Sequence, residues 1–204
     1  MRKMIVATHN KDKLNEIRQI LDPAEWDLQG MSELGFHEEI PETGETFAEN
    51  AAQKAAALAE HYPSSWIFAD DSGLCVKALN NEPGVHSARF LGDASYPEKI
   101  RRLQEMLQDA SPDPATWEAS FRCAIALRNP GNGDMLIFEG SMDGRIHTEM
   151  RGDNGFGYDP AFYLPEKGVT AAELDADEKN AVSHRGEALR KMAEWLDKYV
   201  DTRT

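Results

Sequence analysis

Trp117-Glu118-Ala119-Ser120-Phe121-Arg122-Cys123-Ala124-Ile125-Ala126-Leu127 sets Trp117, Ala119, Phe121, Cys123, Ile125 and Leu127 in alternation with polar or small neighbours. That period of two predicts a long strand. Asn129-Pro130-Gly131-Asn132-Gly133-Asp134 then turns the chain into a partner strand through Leu136 and Phe138, and a short strand around residues 145–148 is expected after an Asp143-Gly144 turn. Long antiparallel strands in the middle of a chain whose two ends read as α/β favour a shared mixed sheet over a fully parallel doubly wound one.

Outward from this hairpin, Met4-Ile5-Val6-Ala7-Thr8 reads as a short buried strand, and Leu14, Ile17, Ile20 and Leu21 recur at helical spacing. Residues 27–43 read as irregular and acidic. Thr46 and Glu49 form a capping box ahead of a helix through Asn50-Ala51-Ala52-Gln53-Lys54-Ala55-Ala56-Ala57-Leu58-Ala59. Another helix is expected over about residues 97–109, with Ile100, Leu103, Met106 and Leu107 on one face. The last begins near Ser183 and carries Leu189, Met192, Leu196 and Val200 on one stripe.

The 204 residues suit one domain of two lobes sharing a sheet, and 41% apolar with 28% charged content is ordinary for a globular chain. A net charge of −14 leaves no excess of Lys and Arg to displace counterions, which argues against a nucleic-acid partner. A small phosphate ligand stays possible, because local cations or a metal can invert the potential in one site. No run approaches the roughly 18 apolar residues of a membrane span, so no membrane role is expected. Met1-Arg2-Lys3 leads into a stretch too short for a signal peptide. Cys75 and Cys123 lie far apart in apolar surroundings and read as reduced core thiols of a cytoplasmic protein.

The chemistry concentrates in Trp66-Ile67-Phe68-Ala69-Asp70-Asp71-Ser72-Gly73-Leu74. Four strand-like residues lead into two adjacent carboxylates, each disfavouring the other's ionisation and both resisting desolvation. A cation or a catalytic proton transfer would make the pair tolerable, and so would plain solvation in an Asp-Asp-Ser-Gly turn. Magnesium takes oxygen ligands and meets phosphate substrates through one or two carboxylates. A magnesium-dependent enzyme acting on a phosphate compound is therefore one expectation, and a solvated turn the other.

Thr8-His9-Asn10-Lys11-Asp12-Lys13 spans the first strand-to-helix junction, where helix amides and two lysines suit a phosphate, although a plain Asn cap is the favoured reading of the segment taken alone. It holds no P-loop. Glu42 precedes the second helix and Lys54 lies about two turns along it, so Glu42 could join Asp71 on a metal while Lys54 reaches a phosphate. Gly152-Asp153-Asn154-Gly155-Phe156-Gly157-Tyr158-Asp159-Pro160 offers an aromatic ring for stacking and Asp159 as an acceptor; a surface hairpin is its alternative. Ser183-His184-Arg185-Gly186, with Lys179 just before it, opens the final helix and suits base or phosphate recognition.

Together these segments resemble the inosine triphosphate pyrophosphatase (Ham1-like) family of purine nucleoside-triphosphate pyrophosphatases. The resemblance rests on residues 7–13, Glu42-Thr43-Gly44, Phe47-Ala48-Glu49-Asn50-Ala51, Lys54-Ala55, Asp70-Asp71-Ser72-Gly73-Leu74, Pro83-Gly84-Val85-His86-Ser87-Ala88-Arg89, Gly155-Phe156-Gly157-Tyr158-Asp159-Pro160 and Ser183-His184-Arg185-Gly186, in the family's order over nearly the whole chain. His9, Asn80-Asn81 and His86 depart from the family's usual residues and touch none of the acidic core.

The resemblance implies an elongated α/β fold whose two lobes flank a nucleotide-binding cleft, usually dimeric. It implies hydrolysis of ITP, dITP and XTP to the monophosphate and pyrophosphate. Asp71 matches the general base, supported by Asp70 and Lys54; Glu42 and Asp71 match magnesium ligands. Thr8, His9, Asn10, Lys11, Asp12, Lys13 and Ser72 fall on the triphosphate side, and Phe156, Gly157, Tyr158, Asp159, Lys179, His184 and Arg185 on the base side. A Maf-like pyrimidine pyrophosphatase, or a nucleotide-binding module without turnover, are the competing expectations. The His184-Arg185 pair argues against the first and the clustered acids against the second.

Overall fold

The computed structural model describes residues 2–201, with side chains through Tyr199. β1 (Arg2–Val6) pairs in parallel with both β2 (Trp26–Gly30) and β3 (Trp66–Val76). Helix α1 (Lys11–Ile20) joins β1 to β2, and α2 (Phe47–His61) precedes β3. After α3 (Tyr96–Ala110) come β4 (Glu118–Arg128) and β5 (Met135–Ile146), then β6 (Phe162–Leu164) and β7 (Val169–Thr170), before α4 (Ala176–Val182) and α5 (His184–Asp201). The strands form one sheet in the order β2-β1-β3-β4-β5-β6-β7. The β5–β6 and β6–β7 ladders are antiparallel, so the sheet is mixed, as expected.

Two compact units divide the chain. The first holds the chain up to Ser72, Cys123–Gly140 and the chain from His184. Its strands are buried on both faces. Met4, Val6, Phe68, Cys123 and Ile125 pack with Ile17 of α1 and Leu189 and Met192 of α5. The alternate residues Ile5, Ala7, Ile67, Ala69 and Ala126 pack with Ala51, Ala55 and Leu58 of α2. Burial on both faces is why these strands read as continuous apolar runs.

The second unit holds Gly73–Arg122 and Ser141–Ser183. Its core gathers Leu74, Val76, Trp117, Ala119, Phe121, Met142, Ile146 and Phe162 with Ile100, Leu103 and Leu107 of α3. Here β4 alternates, with Ala119 and Phe121 buried and Glu118 and Arg122 exposed, whereas Cys123–Leu127 are all buried. Asn80 and Asn81 take left-handed φ of 54° and 67°, a region asparagine tolerates better than most residues. This accounts for the Asn-Asn pair at this turn.

Several sequence expectations change. Residues 27–43 are not wholly irregular, because Trp26–Gly30 is the edge strand β2, burying Trp26, Leu28 and Gly30. Strand β3 does not end at the acidic pair; it continues through Asp70, Asp71, Ser72 and Gly73 to Val76. Asp143-Gly144 is not a turn, since β5 runs unbroken to Ile146. A Cβ on Gly144 would stand 2.5 Å from the Tyr163 carbonyl oxygen and 2.8 Å from the Phe162 ring, so glycine serves close approach of β6 there. The glycine-rich turn ends in a 3-10 turn, Asp159–Ala161, in place of a hairpin. On α5, Leu189, Met192 and Leu196 are buried as the stripe requires, and the Val200 side chain lies outside the described residues.

Candidate active site

Because β3 runs through the acidic pair, the pleat turns Asp70 and Asp71 to opposite faces of the sheet. Asp70 faces the α1 and α5 side with Phe68, and Asp71 faces the α2 side with Ile67 and Ala69. Neighbouring carboxylates that would repel on one face thus meet different partners.

Asp71 meets groups supplied by α2. Lys54 Nζ lies 3.3 Å from Asp71 Oδ1 and 2.7 Å from Glu42 Oε1. Burial pushes the Asp71 carboxyl above its usual range, with Glu42 and Asp70 adding to the rise against the pull of Lys54 and Lys13. Burial opposes the Lys54 charge, but Asp71, Asp70 and Glu42 outweigh it and hold the ammonium above its usual value. Asp71 is thus a buried carboxylate of raised basicity beside a firmly charged lysine.

Asp70, 1% exposed, meets cations from α1 and α5. Lys13 Nζ stands 3.0 Å from Oδ1, and the Arg185 guanidinium approaches Oδ2 at 3.0 Å. Arg185 also donates to Ser72 Oγ at 2.8 Å and pairs with Glu16 of α1. Burial would raise the Asp70 carboxyl, but Lys13, Arg185 and Lys54 overcome it and hold the group far below the carboxylate range. The Cys123 thiol, pushed up by burial and by Asp70, donates toward Asp70 Oδ2 at 3.6 Å. Gly140 lets α5 approach this closely, since a Cβ there would overlap the His184 carbonyl and stand 2.8 Å from the Ala188 amide.

At the first junction, Asn10 caps α1. Its Oδ1 accepts from the Asp12 and Lys13 amides at 2.9 and 3.1 Å, and its own amide donates to Thr8 Oγ1 at 3.1 Å. Two helix-start amides expected to meet an anion are therefore held by the cap. Lys11 and Asp12 are exposed, and His9 Nε2 contacts the Glu38 carbonyl at 3.0 Å.

The second unit carries its own polar cluster. Lys179 Nζ pairs with Asp159 Oδ2 at 2.6 Å and sits 5.1 Å from the centre of the Phe156 ring. Asp159 Oδ2 also accepts from the Phe156 amide at 2.9 Å. Tyr158 is buried, stacks edge-on with Tyr96 and donates to the Ser87 carbonyl at 2.9 Å. Gly155 and Gly157 take left-handed φ of 72° and 71°, which folds this turn around the ion pair. Phe156, Gly157, Tyr158, Asp159 and Lys179 thus share one cluster. The Arg185 guanidinium lies among Glu16, Asp70 and Ser72, where three oxygens converge on it. His184 is buried at the first residue of α5.

Glu42 and Asp71 offer carboxylate oxygens and already share one cation, the Lys54 ammonium. No cluster of three or more His, Cys, Asp or Glu suited to a metal occurs among the described residues. Two carboxylates fit magnesium, which keeps waters and substrate phosphates as its other ligands, and do not fit a zinc cage.

Glu16 and Asn50 were not singled out in the sequence. Glu16 falls three residues after Lys13, which puts both on one face of α1, and Asn50 is a polar residue within an alanine-rich helix. A model of the Ham1 family matches residues 4–195. A dITP/XTP pyrophosphatase of Bacillus subtilis is 43% identical over 198 residues, which is 97% of this chain and 98% of that one. One of Desulforamulus reducens is 44% identical over 96% of each chain. Among solved structures, a HAM1 protein from Coxiella burnetii aligns with a TM-score of 0.85 at 43% identity, covering 97% of this chain and 100% of that one. The Staphylococcus aureus Ham1 protein aligns with a TM-score of 0.84 at 35% identity, over 97% and 100% of the two chains. With the match extending from the first strand into the last helix, the chain belongs to the Ham1 family.

Proposed function

We propose that this chain hydrolyses the deaminated purine nucleoside triphosphates dITP, XTP and ITP to the monophosphate and pyrophosphate. The observation that carries the proposal is the division of the acidic pair: Asp70 is locked between Lys13 and Arg185, while Asp71 stays basic beside Lys54 and Glu42. The names of the relatives support the substrate class.

In the proposed reaction Asp71 accepts a proton from water, whose oxygen bonds to the α-phosphorus as the bond from that phosphorus to the bridging oxygen breaks. Pyrophosphate leaves with the bonding electrons. Lys54 and Lys13 stabilise the charge that develops on phosphoryl oxygens, with Thr8, Lys11 and Ser72 on the same triphosphate side. Magnesium held by Glu42 and Asp71 would supply acidification of water and neutralisation of phosphate charge. Phe156 offers a stacking face for the base. Among the base-side residues His184 and Arg185 would supply the donors that O6 of a 6-oxo purine needs and a 6-amino group does not. The same proposal includes a homodimer and a cytoplasmic setting; the buried free thiols of Cys75 and Cys123 fit a reducing compartment.

Hydrolysis of dITP in ¹⁸O-labelled water with magnesium tests the bond cleaved. Label in the monophosphate supports attack at the α-phosphorus; orthophosphate as product, or label in pyrophosphate, contradicts it.

A further inference from the structure

We infer that Asn50 is the positioning residue of the acidic site, fixing the Asp71 carboxylate and the Glu42 loop through one side chain. The inference rests on the reading of Asp71 and Glu42 as the reacting acids, and deepens it. Asn50 is fully buried on α2 beside Ala51. Its Nδ2 donates to Asp71 Oδ2 at 3.2 Å, and its Oδ1 accepts from the Gly44 amide at 2.8 Å. The two partners fix which end of the amide is which, since a backbone N–H can only donate and an ionised carboxylate can only accept.

With Oδ2 held by Asn50, Oδ1 is the Asp71 oxygen that meets Lys54. On the other side, four consecutive amides of the loop after Glu42 are each taken by an α2 side chain. Thr43 donates to Gln53, Gly44 to Asn50, and Glu45 and Thr46 to Glu49. The Gly44 bond is the member of this set that continues to a site carboxylate. A Cβ on Gly44 would stand 2.6 Å from Glu49 Cβ and 2.9 Å from Asn50 Oδ1, so this approach requires glycine. Leucine at position 50 could do neither job, and an ionised aspartate could accept from Gly44 but not donate to Asp71.

The test compares wild type with Asn50→Ala and Asn50→Asp, alone and with Asp71→Asn, by thermal melting, Gly44 amide exchange, and kcat and KM for dITP. Asn50→Ala is expected to fold, to exchange the Gly44 amide about tenfold faster, and to lose roughly 10–100-fold in kcat with KM changed less than about threefold, as expected for a misplaced catalytic group. Asn50→Asp keeps Gly44 protected and still loses kcat. In the Asp71→Asn background, Asn50→Ala should lower the residual kcat less than about twofold, because the residues act as a unit. Wild-type kcat in Asn50→Ala, or an equal fold-loss in both backgrounds, overturns the inference. If wild type releases no pyrophosphate from any triphosphate, the proposed function fails, and the melting data judge the clamp alone. Non-additive shifts of Asn50→Ala and Asp71→Asn then uphold it, and additive shifts overturn it.

Discussion

Asp70 and Asp71 are adjacent in sequence and are driven in opposite directions by their surroundings. Lys13, Arg185 and Lys54 overcome burial and keep Asp70 ionised far below the usual carboxylate range, whereas burial, Glu42 and Asp70 raise Asp71. The strand pleat produces the difference by giving each carboxylate its own face and its own helices. One acid is a fixed charge that seats Lys13 and Arg185; the other can hold or release a proton.

Neutralising the two acids should therefore have different consequences. Asp70→Asn leaves Lys13 without its buried counter-charge and Arg185 with Glu16 alone and should cost about 3–5 kcal/mol in urea unfolding at neutral pH, the usual penalty for breaking a buried pair. Asp71→Asn should leave stability nearly intact. Equal losses would contradict the division.

The pH dependence carries the same signature. Asp70 has a lowered folded pKa, so its stabilisation is complete above the unfolded carboxylate value of about 3.9 and falls away as the pH drops below it. Asp71 has a raised folded pKa, so its contribution is favourable below the unfolded value and is lost as pH rises through the folded one. In chelator, the gap between wild type and Asp70→Asn should be full at neutral pH and shrink below about pH 4. Asp71→Asn should match or exceed wild type at neutral pH and lose that advantage on acidification. Gaps of the same sign for both would refute the assignment.

Lys54→Met removes the cation shared by Glu42 and Asp71. Loss of a preorganised charge at developing phosphoryl charge should lower kcat by roughly 10²–10³-fold. Melting in chelator checks that the fold survives, and unchanged kcat would remove Lys54 from the machinery.

The sequence showed the acidic stretch, the capping box at Thr46 and Glu49, and the alternation of β4, because each is a local pattern. The structure bears out the capping box, and the alternation of β4 as far as Arg122. It hid what depends on tertiary partners. A strand is not expected to continue through two carboxylates; here Lys13, Arg185 and Lys54, distant in sequence, meet the two charges. Arg185 read as a recognition residue because a helix start is a natural anion site; its pairing with Glu16 and Asp70, which come from other elements, leaves no local signature in the sequence. Asp143-Gly144 carried a turn signature, yet the glycine answers to the approach of β6.

That last point is testable on its own. Gly144→Ala introduces a Cβ 2.5 Å from the Tyr163 carbonyl oxygen and 2.8 Å from the Phe162 ring. Overpacking of this kind should cost about 1–3 kcal/mol, read by urea unfolding. A neutral substitution would restore the turn interpretation.

The most direct test of the account is pyrophosphate release with magnesium from dITP, XTP, ITP, ATP, GTP, dTTP and UTP, by wild type and by Asp71→Asn. The account predicts strong release from dITP, XTP and ITP, weak release from the other four, and a loss of about 10²–10⁴-fold in the variant, the range for a missing general base. A pyrimidine-first ranking, or full activity in Asp71→Asn, would contradict it.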